Sequence, residues 1–156
     1  MDASRCLSRL QKLCSKAEYC VADIRRKALK DLEGDAAAAE DVVARLVAER
    51  YVDDTRYASA YAREKASIQG WGAVKIRFQL RGKGISDADI TAALQEIEPQ
   101  KAQDKLEKVL LAKARSLKGD PQFRLRLLKF GLTRGYNYDE VEEAVSKIIA
   151  TFAAAE

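Results

Sequence analysis

The chain has 156 residues, 28 lysines and arginines against 24 aspartates and glutamates, and no histidine. Two prolines, eight glycines and a hydrophobic share of 47% favour a folded, helix-rich chain over disorder. Without histidine, general acid–base work would fall to Asp, Glu, Lys or Tyr, and the carboxylates sit at helix starts, where capping explains them.

No apolar run approaches the roughly 18 residues of a membrane span. Arg5, Arg9 and Lys12 interrupt any signal-peptide core, so a cytoplasmic protein with no membrane association is expected. Cys6, Cys14 and Cys20 are odd in number and lack zinc-site spacing. Reduced, half-buried thiols and no bound metal or cofactor are expected.

Ala, Leu, Glu, Lys, Arg and Gln dominate, and no stretch alternates β-branched and polar residues for long, so the class is all-α. In chain order, helices are expected near 3–16, 20–32 and 36–50. A second set follows near 54–68, 72–82 and 87–98. A third lies near 100–117, 121–133 and 138–153. Asp53 opens the fourth helix, and Asp120-Pro121 reads as N-cap and first-turn proline of the eighth. Cys20 takes a helix-start position where Ser or Thr would cap better.

The helices repeat. Gly84 and Gly135 are each followed by an apolar residue, an N-cap (Ser86, Asn137), an acid, and apolar residues six and ten positions past the glycine. Gly34 and Asp35 make a weaker copy with about two extra residues before Val42. The three glycines are 50 and 51 residues apart, which fits three helices per unit. The expected units are residues 1–50, 51–98 and 99–156, each too small to be secure without its neighbours.

Charge segregates by helix position. Residues 72–83 carry Lys75, Arg77, Arg81 and Lys83 and no acid, and residues 121–134 carry Arg124, Arg126, Lys129 and Arg134 and no acid. Residues 21–32 carry Arg25, Arg26, Lys27 and Lys30 against two aspartates. The third helices of the later units are acidic, partly because acids suit helix starts. Late cations suit helix ends, but Lys75, Arg77, Arg124 and Arg126 lie early or mid-helix.

Phasing at about 100° per residue puts Val74 and Phe78 opposite Ile76 and Leu80, and Phe123, Leu127 and Phe130 away from Leu125, Leu128 and Leu132. Both helices are therefore expected to be packed on two sides, with cations on the strips between. Cations with no acid in the same helix suit a long polyanion or an acidic protein groove. The stripe Lys101, Lys105, Lys108 and Arg115 has Asp104 and Glu107 close enough to pair with it, and reads as a solvated face. Tyr136 and Tyr138, at a turn beside Arg134, fit ordinary packing or stacking on bases. Gly70-Trp71-Gly72 and Gly82-Lys83-Gly84 lack a phosphate-loop pattern, and the first reads as a tight turn with Trp71 over it.

Val52-Asp53-Asp54 with Arg56-Tyr57-Ala58, then Gly70-Trp71-Gly72, Ile76-Arg77, Leu80 and Lys83-Gly84-Ile85, resembles the RecX family of recombinase regulators. Arg134-Gly135-Tyr136 is similar to that family's C-terminal Arg-Gly-Phe/Tyr, and the resemblance spans most of residues 17–150. It implies three tandem three-helix repeats in an elongated, curved array. It implies a non-enzymatic regulator that binds the RecA nucleoprotein filament and mainly inhibits its recombinase, ATPase and co-protease activity, and so regulates DNA repair and the SOS response. Some members bind DNA, so single- or double-stranded DNA is a second expected partner. Lys75, Arg77, Arg81 and Lys83 are the candidate contacts, with Arg25, Arg26, Arg124 and Arg134, on a chain expected to be monomeric. A general nucleic-acid-binding helical module, or a scaffold whose charged strips only join its own repeats, would carry the same cations.

Overall fold

A computed structural model describes residues 1–155. The described residues form nine α-helices and no strand: α1 (Ala3–Lys16), α2 (Val21–Asp31), α3 (Ala36–Ala48), α4 (Asp54–Ser67), α5 (Ala73–Gly82), α6 (Asp87–Gln95), α7 (Pro99–Ser116), α8 (Phe123–Thr133) and α9 (Tyr138–Ala154). They follow one another as three groups of three.

The third helix of each group begins alike. Asp35, Ser86 and Asn137 accept the N–H groups of Ala38, Asp89 and Glu140 at 3.1, 3.2 and 2.9 Å. These satisfy backbone donors that the helix itself leaves open. The turn before each cap is also shared. Leu29, Leu80 and Gly131 carbonyls accept the N–H groups of Gly34, Ile85 and Tyr136, five residues on. That is the Schellman pattern, with a left-handed residue just before the donor. The left-handed residues are Glu33 (φ 54°), Gly84 (φ 77°) and Gly135 (φ 98°).

This corrects the register expected for the first repeat. Glu33, not Gly34, is the counterpart of Gly84 and Gly135, and the spacing becomes 51 residues twice. No extra residues are then needed: buried Ala39 and Val43 fall six and ten past the corner, as Ile90 and Leu94 do, and Val141 and Val145.

One helix start differs from expectation, and another is capped from a different element. The eighth helix begins at Phe123, because Asp120 and Pro121 belong to the preceding turn, where Asp120 accepts the N–H of Gln122 at 2.8 Å. Cys20 precedes α2 but makes no side-chain cap. Asp54, at the start of α4, accepts the Val21 N–H instead, at 2.8 Å. Adjacent Asp53 caps its own helix through the Arg56 N–H at 3.1 Å.

The helices condense into two compact units, Met1–Tyr61 with Leu80–Ala93, and Ala62–Gln79 with Leu94–Glu156. In the first, Cys6 and Leu10 of α1, Ile24 and Ala28 of α2, and Val43 and Leu46 of α3 close one core. In the second, Leu106 and Leu110 of α7, Leu127 of α8, and Val141 and Val145 of α9 close another. Gly131 lets α8 approach α9: a Cβ there would lie 2.6 Å from Val141 Cγ1.

Two-sided packing of α5 and α8 is not what the structure has. Ile76, Leu80 and Leu127 are fully buried, but Val74, Phe78, Leu125 and Leu132 are exposed. Helical phase gives the direction of an apolar face, and whether a neighbour covers it is decided by tertiary packing.

Candidate regulatory interface

Two motifs read separately in the sequence meet inside the second unit. The residues leading into α5 run beside the α8–α9 turn. Gly72 N–H donates to the Arg134 carbonyl at 2.8 Å, and Val74 N–H to the Gly135 carbonyl at 2.9 Å. The start of α5 is thus capped by the backbone of another element. Tyr136 is buried and its hydroxyl donates to the Gly70 carbonyl at 3.1 Å. Arg134 donates to the Gln69 carbonyl at 3.1 Å and lies over the Phe130 ring. Lys75 Nζ lies 4.3 Å from the Trp71 ring centroid. Gly70-Trp71-Gly72 and Arg134-Gly135-Tyr136 therefore bind each other. Of the two tyrosines considered for stacking, only Tyr138 is exposed.

The first unit has a related corner, where the α5–α6 turn lies against α2. The Cβ position at Gly84 is 3.8 Å from Ala22 Cβ. Lys83 reaches Asp23 of α2 at 3.5 Å, and Arg26, one turn along α2, bonds the same carboxylate. A cavity of about 390 Å³ opens here, lined by Ala22, Asp23, Arg25, Arg26, Leu29, Gly82 and Lys83. The structure thus brings together Arg25, Arg26 and Lys83, which are far apart in sequence.

The cations of this corner share few acids: Asp23, Glu40 and, acting on Arg25, Asp54. One carboxylate, Asp23, serves two cations. Burial pushes the Asp23 carboxyl up, but hydrogen bonds from Cys20 and Arg26 and the charges of Lys83 and Arg26 together outweigh it, and the group sits below its ordinary value. Arg25 pairs with Glu40 of α3, and both side chains are about half exposed. Exposed pairs of this kind contribute only about 0–1 kcal/mol, so exchange for a partner's acid costs little.

Three other candidates also have partners. Arg81 pairs with Asp87 at 2.9 Å, and Arg124 with Glu142 at 2.8 Å. Arg134 is held as above. Counting acids within each helix missed these pairs, because the acids come from other elements. The repeat register was the signal available: Glu40 and Glu142 both stand seven residues past the corner. Thr91 holds that position in the middle repeat. Among the described residues, Arg77 makes no hydrogen bond or ion pair.

Burial raises the thiols of Cys6, Cys14 and Cys20 above their ordinary value, which favours the unreactive protonated form. No helix is long and apolar enough to cross a membrane among the described residues.

Residues 53–94 match the family model described as RecX, second three-helix domain. A Regulatory protein RecX from Leuconostoc mesenteroides is 26% identical over 148 residues, covering 94% of this chain and 55% of that protein. One from Bacillus mycoides is 28% identical over 122 residues, covering 77% and 45%. The chain spans about half the length of these curated relatives. A crystal structure of regulatory protein RecX superposes with a TM-score of 0.83 at 25% identity, covering 93% of this chain and 71% of that one. The structure of RecX from Lactobacillus salivarius shares the fold at a TM-score of 0.79 and 19% identity, covering 95% and 97%. In its motifs, in residues 53–94 and in its all-helical repeat fold, the chain is similar to the RecX family of regulatory proteins.

Proposed function

We propose that this protein is a cytoplasmic, non-catalytic regulator that binds the RecA–DNA filament as a monomer and lowers its recombinase, ATPase and co-protease activity. DNA repair and the SOS response would be its biological setting. The observation that carries this reading is the basic corner of Arg25, Arg26 and Lys83 in a chain whose relatives are named regulatory proteins. A filament offers the same acidic surface at every protomer, so several weak contacts add through effective concentration. Arg25, balanced by the half-exposed carboxylate of Glu40, suits this role: it stays soluble without a strong field and exchanges partners cheaply.

The test is the rate of DNA-dependent ATP hydrolysis by RecA, with the protein added below one molecule per RecA. Inhibition is expected, and the triple variant Arg25→Ala, Arg26→Ala, Lys83→Ala should need several-fold more protein for the same effect. No inhibition at saturating, folded protein would reject the reading.

A further inference from the structure

Phe78 is 73% exposed and Val74 59% exposed. They lie four residues apart on α5 and so share one face. The fold does not ask for an aromatic ring at position 78. The corners at Glu33, Gly84 and Gly135 align the middle helices. They put Lys27 and Lys129, both polar, at the positions equivalent to Phe78. A large apolar side chain set in water, where the same fold elsewhere uses a cation, breaks the local pattern, and such breaks mark function. Beside it stands Arg77, half-buried and without an ion pair among the described residues.

We propose that Val74 and Phe78 form an apolar anchor flanked by the Arg77 guanidinium. Its occupant is a protein segment that presents an apolar side chain next to a carboxylate. This rests on the filament reading above, and it assigns that segment to the surface of the RecA filament. Charge complementarity selects the carboxylate: Arg77 has no ion pair among the described residues, so an acid on the partner would supply one. The chemistry favours protein over nucleic acid. Val74 is aliphatic and gives no plane for a base to stack on, and nearby Lys75 is turned onto Trp71.

The experiment measures binding of labelled protein to RecA assembled on single-stranded DNA, to the bare DNA, and to itself by sedimentation velocity. Phe78→Ala and Phe78→Lys, the latter copying the first and third repeats, should fold as stably as the parent, since the ring is exposed. Both should weaken filament binding by about tenfold or more. Arg77→Glu should weaken it further, with the loss greatest at low salt. Parent-like filament binding by both Phe78 variants overturns the anchor while leaving the regulatory reading intact. So does a loss confined to bare DNA or to self-association. Failure of the parent protein to bind the filament overturns both together.

Discussion

Gly72 and Gly135 meet with no room for a side chain on either. A Cβ built on Gly72 would lie 2.4 Å from the Gly135 carbonyl oxygen, and one on Gly135 would lie 2.3 Å from Lys75 Cβ. This approach lets the Gly72 and Val74 N–H groups reach the Arg134 and Gly135 carbonyls. The two glycines therefore act as one joint. Gly72→Ala should destabilise the protein by at least about 1–3 kcal/mol, the usual cost of overpacking, because the clash is with backbone. Gly82→Ala is the control: its Cβ meets nothing within 4 Å, and in a helix it should be neutral or stabilise by up to about 1 kcal/mol. Denaturant midpoints of the two variants check the contrast.

Asp54 caps α2 from a distance, and this role can be separated from its charge. Burial raises its carboxyl above the ordinary value, the Val21 N–H opposes that, and Asp89 and Asp53 add to it. Asp54→Ala should cost about 1 kcal/mol, as loss of a helix cap does. Asp54→Asn keeps an acceptor and removes a charge that the site disfavours, so it should lose less, or gain, at neutral pH. Thermal melts near pH 7 distinguish the two substitutions.

Tyr136 makes stability depend on alkaline pH. Burial raises its phenol from 10.0 to about 12, partly opposed by Arg134. The neutral phenol is therefore favoured in the folded state. Its contribution is fully present below pH 10 and is lost as pH rises towards 12. Tyr136→Phe should abolish that part of the alkaline loss, and should cost about 0.5–1.5 kcal/mol at neutral pH through the missing bond to Gly70. Denaturant titrations at pH 8, about 10 and about 11.5 measure both effects.

Sequence carried the fold through local chemistry. Ser86 and Asn137 were legible as caps because capping acts over three residues, and their bonds form as expected. Gly34 misled by one residue. Both Glu33 (φ 54°) and Gly34 (φ 84°) are left-handed in that turn, so glycine alone does not mark the corner. The site was less legible, because its relations are long-range. Asp23 joins Lys83 from 60 residues away, and Asp54 caps a helix 33 residues earlier. Phasing found both faces of α5 but assigned a neighbour to the one bearing Phe78, which has none to bury it. Glu40 and Glu142 lie on other helices than Arg25 and Arg124, so the charge of a single helix does not reveal these pairs.

We propose that the basic corner serves a filament and not DNA alone. The most direct measurement compares the parent protein with the Arg25→Ala, Arg26→Ala, Lys83→Ala variant for binding to RecA–DNA filaments and to bare DNA at physiological salt. The account predicts tighter parent binding to the filament, and a loss of about tenfold or more in the variant with its melting temperature retained. Equal affinity of the parent for filament and bare DNA, or a variant that binds the filament unchanged, would contradict it.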